Sequence, residues 1–396
     1  MMRSLFLQVA AVTLINLKSI PQRLWLSLST VVAVGLVVVV LLAFLAMANG
    51  FERTLAGTGS NDVAVILRGG SESEINSTVS REQVRLIEDS PGIARDAAGK
   101  PLVSAELYLT IDGLKRSTHT RANLPLRGIG ASGAAIRRDI RIAQGRMFNA
   151  GANEIVVGKG VLSEFTGFEL GSVVTSGSTR WTVVGIFEAA GSVFESEIWA
   201  DLPVVQSLFN RNNYFQTVRA RLVDPAALAV LATAVEHDPR LKLDVKSESA
   251  YFAGQARRTS DLILKLGWPL AIAMAIGALA GALNTMYSSV ASRSAEIATL
   301  RAIGFGGFPA FFGTMVESLI LAVCGGVLGA LATFLLFDGL TASTLGASFT
   351  QVVFSFKLSP ALVAQGVGLA LLVGMIGGLF PALRAGRLPI VAALQE

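Results

Sequence analysis

Leu24-Trp-Leu-Ser-Leu-Ser-Thr-Val-Val-Ala-Val-Gly-Leu-Val-Val-Val-Val-Leu-Leu-Ala-Phe-Leu-Ala-Met-Ala48 runs without a single charged side chain. A bilayer core about 30 Å thick asks for roughly 20 apolar residues in a helix, so this stretch is long enough to cross a membrane. Ala46-Met47-Ala48 resembles a signal-peptidase site. A signal peptide's apolar region is only about 7–15 residues, however, and the longer run here predicts a retained anchor. Three more runs qualify, at about Leu266–Val290, Phe308–Leu336 and Ala361–Leu383. The composition agrees: 52% of the 396 residues are hydrophobic and 15% charged, against about 25% charged in an ordinary soluble chain. The predicted fold is four transmembrane α-helices, one plus three, with a large α+β extracytoplasmic domain between the first and second.

Charge in the short loops predicts the orientation, because cytoplasmic loops are enriched in Lys and Arg. Arg3, Lys18 and Arg23 precede the first run. Arg293 and Arg301, against Glu296, lie between the second and third. Arg384 and Arg387, against Glu396, follow the fourth. The short loop between the third and fourth runs, about 339–358, holds only Lys357, and the long segment 49–261 is balanced in charge. Both termini and the 291–307 loop are therefore expected in the cytoplasm, and the large domain outside.

The expected organisation is an interfacial helix at 1–23, a span at 24–48, an outer domain at 49–247 and a stalk helix at 248–265. Then come spans at 266–290, 308–336 and 361–383, separated by the loops 291–307 and 337–360, and a tail at 384–396. Within 3–20, Leu5, Phe6, Val9, Val12, Leu14 and Leu17 supply apolar positions beside Arg3, Gln8, Asn16 and Lys18, a pattern suited to lying on lipid. Pro21 should break or bend this helix before the first span, and Pro269 should kink the entry to the second span. In the outer domain, Asp62–Leu67 and Val103–Ile111 read as strands. Asp112-Gly113 reads as a hairpin turn, and Ser80-Arg-Glu-Gln83 as a capping box opening a helix. Short strands are predicted at Glu154–Val157, Val173–Thr175, Trp181–Phe187 and Glu197–Ala200, and helices at Pro203–Phe209 and Pro225–His237. Two subdomains are expected, one α/β and one mainly β.

Catalytic signatures are missing from the sequence. No GxxxxGK[ST], HExxH or GxSxG occurs, and Ser172, Ser176 and Ser178 sit in a glycine-serine turn. The single Cys324 excludes a cysteine cage, and His119 and His237 have no partner motif. The chain is read as a non-enzyme that binds no cofactor or metal itself.

Three membrane features carry information. Gly277-xxx-Gly281, Gly325-xxx-Gly329 and Gly374-xxx-Gly378 put small residues on one helix face, which lets backbones approach in a tight bundle or a dimer face. Glu317 lies about ten residues into the third run, roughly 15 Å at helical rise. A carboxylate there costs on the order of 3 kcal/mol or more in lipid, so it should face protein or water, as a structural hydrogen bond or as a coupling contact. Ser292–Gly304 reads as a short helix with Arg293, Glu296, Ile297, Leu300 and Arg301 on one face and Gly304 as its stop. Such a mixed face suits docking into a partner's groove.

Arg293-Ser-Ala-Glu-Ile-Ala-Thr-Leu-Arg-Ala-Ile-Gly304, then Glu317-Ser318 and Gly325-Gly-Val-Leu-Gly329, resembles the core motif of the FtsX/MacB permease superfamily. The tail from Gly377-Gly-Leu-Phe-Pro to Leu394 is similar to that family's ending. Gly145-Arg-Met-Phe148, Glu154-Ile-Val-Val-Gly158 and Trp181-Thr-Val-Val-Gly-Ile-Phe187 resemble a MacB-like periplasmic core with porter-like and β-rich subdomains. The resemblance implies a multi-pass protein of the bacterial inner membrane that pairs with a second permease copy, identical or related. It implies an ABC ATPase partner, which binds ATP and Mg, docked on Arg293, Glu296, Ile297, Leu300, Arg301, Ala302, Ile303 and Gly304. With no P-loop here, that ATPase is expected as a separate protein. A periplasmic adaptor is a further implied partner, membrane lipid surrounds the spans, and nucleic acid is not a partner. The implied action is mechanotransmission: ATP-driven closure moves the stalk and outer domain to export or extract a substrate. The alternatives are an FtsX-like regulator of a cell-wall hydrolase, which transports nothing, and an antimicrobial-peptide sensor.

Overall fold

The computed structural model describes residues 2–137, 139–177, 179–346 and 350–389, with side chains from Phe6 onward. Ser178, residues 347–349 of the expected 337–360 loop, and the tail beyond 389, including the end of the Gly377–Leu394 resemblance, lie outside the described residues. The helices are α1 (Met2–Ser19), α2 (Leu24–Ala56), α3 (Arg81–Glu88), α4 (Ala131–Ile136), α5 (Lys159–Glu164), α6 (Leu202–Leu208), α7 (Ala227–His237), α8 (Glu248–Ala291), α9 (Ser294–Ala302), α10 (Gly307–Phe337) and α11 (Pro360–Arg387). The strands are β1 (Val63–Arg68), β2 (Val79–Ser80), β3 (Val103–Lys115), β4 (Arg121–Ile129), β5 (Arg141–Gly145), β6 (Glu154–Gly158), β7 (Phe165–Thr166), β8 (Val173–Ser176), β9 (Thr179–Glu188), β10 (Ile198–Asp201), β11 (Tyr214–Phe215), β12 (Thr217–Arg221), β13 (Leu243–Ser247), β14 (Thr341–Leu345) and β15 (Gln351–Ser355).

The chain separates into two compact units. One comprises the residues up to Ala48, Leu262–Gly339 and the segment from Lys357 on; the other comprises Asn49–Asp261 and Leu340–Phe356. Helices α2, α8, α10 and α11 are long and apolar enough to cross a membrane. In the first unit, large side chains of α2 (Val34, Val38, Leu41, Leu42) pack on small residues of the other spans, Ala271, Ala278, Ala330 and Ala370. Large-into-small packing brings helix backbones together where lipid provides no hydrophobic drive between helices. The stalk expected at 248–265 and the span expected at 266–290 form one uninterrupted helix, α8, with Pro269 inside it.

The second unit, the head, is built on one sheet in the order β13-β1-β12-β3-β4-β10-β6-β9-β5, with β7 on β3 and β8 on β9. Most pairs are antiparallel; β10–β4 and β6–β9 are parallel. Ile66, Val79, Ile87, Val218, Leu231 and Val235 form one core, which includes the inner faces of α3 and α7. Leu126, Ile155, Val157, Phe165, Trp181 and Ile198 form another. The continuous sheet runs through both. Ser80 caps α3 reciprocally: Gln83 N donates to Ser80 Oγ at 3.2 Å and Ser80 N donates to Gln83 Oε1 at 3.0 Å.

Two expectations for this region are corrected. Asp112-Gly113 is not a turn, because β3 continues to Lys115 and pairs Asp112 with Asn123 and Gly113 with Ala122. Gly113 serves packing instead: a Cβ there would lie 2.9 Å from Phe165 Cδ1, and nearer still to Leu124. The reversal lies at 116–120, where His119 takes φ 53°. The 337–360 segment is also not a plain loop. It carries the hairpin β14–β15, which packs within the head: Phe354 meets Phe51 edge-on at 5.6 Å, and Val353 N donates to Ser196 Oγ at 2.9 Å.

Candidate functional site

The 292–304 segment forms α9, and its end follows from Gly304. At φ 106° this residue adopts a conformation that side-chain-bearing residues rarely reach. It lets Gly304 N donate to Arg301 O and Phe305 N to Leu300 O, each at 3.1 Å, the paired bonds of a Schellman stop. The expected docking stripe is corrected in part. Ile297 is buried in a small core with Val290, Ala310 and Ala385, Arg293 is buried, and Leu300 is half-buried. The cause is the packing of α9 on the neighbouring helices, which takes up its apolar side. Arg301 turns back as well and donates to the carbonyl of Leu388. The open surface of α9 and the turn that ends it is Ala295, Glu296, Thr299, Ala302, Ile303 and Gly304, and Ile303 is 69% exposed.

Arg293 leads into a buried polar hub. Its guanidinium stands 3.4 Å from Glu317 Oε2 on α10, 3.3 Å from Glu296, and donates to Asn16 Oδ1 on α1. Glu317 is 2% exposed; it accepts from Ser289 Oγ of α8 at 3.2 Å and faces Arg23, just before α2, at 3.7 Å. Arg23 also donates to the Ser289 carbonyl at 3.1 Å and to Ser19 Oγ at 2.7 Å. One carboxylate thus faces two cations and joins groups from α1, the start of α2, α8, the root of α9 and α10. Asn16, placed by its type on the polar face of the first helix, is instead buried against Gly313. Nothing in its local sequence marks it; the partner Arg293 lies 277 positions away.

The glycine pairs divide. A Cβ at Gly325 would stand 2.7 Å from the Val31 carbonyl and one at Gly329 2.5 Å from the Gly35 carbonyl, so α2 and α10 meet backbone to backbone. A Cβ at Gly378 would meet Ser318 at 2.6 Å, while Ser318 Oγ donates to the Gly374 carbonyl at 2.7 Å, joining α10 to α11. Gly277 and Gly281 of α8 meet nothing within 4 Å. They do not contribute to the packing of this chain on itself.

The head holds a second cluster that carries no sequence motif. Arg127 on β4, 0% exposed, donates to Glu74 Oε1 and Oε2 at 2.9 Å, to Glu106 Oε2 at 2.9 Å, and to both oxygens of Glu197 at 2.7 Å. Arg137 grips Glu106 at 2.7–2.8 Å. Arg219 on β12 donates to Glu74 at 2.8 Å, Glu106 at 2.9 Å and Glu248, the first residue of α8, at 2.8 Å. Tyr108 lies under Arg127, 4.6 Å from ring centroid to guanidinium. The strand β12 is buried at every position although it carries two arginines, Arg219 and Arg221.

Burial alone pushes the Glu74 carboxyl up, but the charges of Arg127 and Arg219 and the Arg127 hydrogen bonds outweigh it and hold the group at about 2, below its ordinary 4.5. Glu106 is likewise lowered: burial raises it, and Arg137, Arg219 and Arg127 together overcome that. A depressed carboxylate lends stability that is complete above the unfolded pKa and is lost as pH falls toward the folded one. The melting temperature of the head should therefore be insensitive to these groups from about pH 7 to 5 and fall steeply below about pH 4.5. Glu74→Gln should flatten part of that acid slope. A wild-type profile level down to about pH 3 would show that the cluster is not charged in the way its geometry requires.

Comparison with known proteins places these parts. Residues 27–238 match the MacB-like periplasmic core domain and residues 269–390 the FtsX-like permease C-terminal domain. The macrolide export ATP-binding/permease protein MacB of Bdellovibrio bacteriovorus is 24% identical over 377 residues, covering 88% of this chain and 55% of its own length. MacB of Pasteurella multocida is 25% identical over 335 residues, covering 81% of this chain and 49% of its own. The chain thus spans about half the length of the curated relatives it matches. The periplasmic region of MacB from Actinobacillus actinomycetemcomitans aligns with 48% of this chain and 90% of its own at 11% identity and a TM-score of 0.36. With the first domain alone matching more than half of the residues and the second most of the rest, the chain belongs to the MacB/FtsX family of ABC transporter permeases, as a multi-pass membrane protein.

Proposed function

We propose that this chain is the permease subunit of a MacB-type ABC transporter of the inner membrane, and that it turns ATP hydrolysis by a partner ATPase into movement of its head. ATP and Mg belong to that partner. The observation that carries the reading is α9: a short helix with its root tied into the hub by Arg293, which also pairs with Glu296, and its C-terminal end presenting the exposed Ile303. An exposed isoleucine at the end of an otherwise anchored helix is a fit knob for a partner's groove. Movement of α9 would reach α8 and α10 through Glu317, and α8 is one helix from the head sequence into its span. The basic loop residues support a cytoplasmic side for α9 and both termini, with the head in the periplasm. A second permease copy and a periplasmic adaptor complete the proposed assembly, whose work is export or extraction of a substrate from the periplasm or outer leaflet. Gly277 and Gly281 offer a place for the second copy to approach.

Two measurements test this. Ile303→Asp should reduce recovery of the ATPase with the purified permease by tenfold or more, since loss of an interface anchor costs about 2 kcal/mol or more. Normal ATPase recovery and turnover in this variant would remove α9 from the coupling role. In a Cys324→Ser background, single cysteines at Ile303 and Ala150 should react with impermeant reagent from opposite faces of the membrane. Labelling from one face would overturn the topology.

A further inference from the structure

We infer that the buried charge cluster of the head is a clamp that fixes the orientation of α8, with Arg219, Glu248 and Tyr251 as positioning residues for the transmission of movement. The inference rests on the coupling role proposed above.

The first turn of α8 is tied to the sheet by directional contacts. Glu248 accepts from Arg219 Nε at 2.8 Å, and the same guanidinium holds Glu74 and Glu106 through Nη1. One turn along, the Tyr251 hydroxyl accepts from the Glu74 amide at 3.2 Å. The next residue, Phe252, meets Phe194 edge-on at 5.6 Å, and Phe194 lies under the guanidinium of Arg219 at 5.7 Å. Arg219 therefore links β12, the Glu74 turn, β3 and α8 through a single planar group.

Stability does not account for this arrangement. A buried ion cluster is commonly no better for stability than apolar side chains of the same volume. What it adds is geometry: apolar contact is non-directional and lets a helix roll or slide, whereas a guanidinium bonded at several nitrogens accepts one orientation of its partners. The head places that specificity at the start of α8, which, like α2, runs between the head sequence and a membrane-spanning stretch. A helix meant to carry a displacement must not rotate where it is gripped.

The test uses the full chain in lipid nanodiscs with Cys324→Ser and spin labels at Asp112→Cys on β3 and Arg257→Cys on α8, both exposed. The wild-type distance distribution should be narrow. Glu248→Gln, which keeps the shape and removes the charge, should broaden it at least twofold. Tyr251→Phe, a milder change that leaves every charge in place, should broaden it in the same direction. An unchanged width in both variants overturns the clamp, whatever the fate of the coupling role. A second pair, Asp112→Cys with Leu335→Cys on α10, measures the response to ATP in the complex with the ATPase. The wild type should show an ATP-dependent shift, and Glu248→Gln should lose most of it. A shift of wild-type size in a variant with a loosened α8 overturns the clamp alone. A wild type that does not respond to ATP overturns the coupling role and the clamp's task with it.

Discussion

Glu317→Ala is expected to destabilise the membrane unit by about 3–5 kcal/mol, the cost of stripping the counter-charge from a buried pair. The substitution leaves Arg23 and Arg293 facing each other with their shared carboxylate gone, while each retains only neutral partners and, for Arg293, the exposed Glu296. Two like charges of low exposure, one at 12% and the other at 8%, cannot both stay where they are. The hub should open, freeing the root of α9 and the start of α2. Glu296→Gln provides the comparison: Glu296 is 59% exposed, and an exposed pair is worth about 0–1 kcal/mol. Thermal unfolding of the purified protein reads the difference. Combining Glu317→Ala with Arg293→Met should recover part of the loss, because the second change removes one orphaned cation. Equal melting points for Glu317→Ala and Glu296→Gln would show that the hub is hydrated and weak.

Arg127→Met should have an effect of similar size in the head. Arg127 is the one group that contacts Glu74, Glu106 and Glu197 together, and it is fully buried. Removing it leaves Glu197 facing an apolar side chain with no cation, and leaves Glu74 and Glu106 to Arg219 and Arg137 alone. The expected loss is again about 3–5 kcal/mol, which is a large part of the roughly 5–15 kcal/mol that holds a typical domain folded. A drop in the melting point of the head of about ten degrees or more is expected. Arg146→Met is the control: Arg146 pairs with Glu154 at 2.6 Å but is 51% exposed, so solvent screens the pair and its loss should barely move the melting point. Glu197→Gln added to Arg127→Met should restore part of the stability by removing the one buried carboxylate left without a cation. If Arg127→Met and Arg146→Met melt alike, the cluster does not hold the head together.

The membrane spans, a helix ahead of the first of them, the capped α3 and the stop of α9 at Gly304 could all be read directly from residue order. Each depends on interactions within a few turns of one segment: apolar length against bilayer thickness, a Ser-to-Gln reciprocal cap, and a glycine able to take positive φ. The 292–304 pattern also predicted a short helix there, although not which of its sides is open. Helical periodicity shows that Ile297 and Leu300 share a face, and cannot say whether that face meets a partner protein or α10 and α11 of the same chain.

Charges that act at a distance were decided only by the folded chain. Asn16 and Arg293, or Arg219 and Glu74, are brought together from opposite ends of a unit, and no local pattern marks a side chain whose partner is more than a hundred residues away. Gly113 misled for the same reason. Asp-Gly favours a turn locally, but the tertiary demand for space beside Leu124 and Phe165 placed that glycine in mid-strand. Local sequence determined where helices begin, end and cross; tertiary packing decided which polar groups are buried, because the free energy of a buried charge is set by the neighbours it finds in three dimensions.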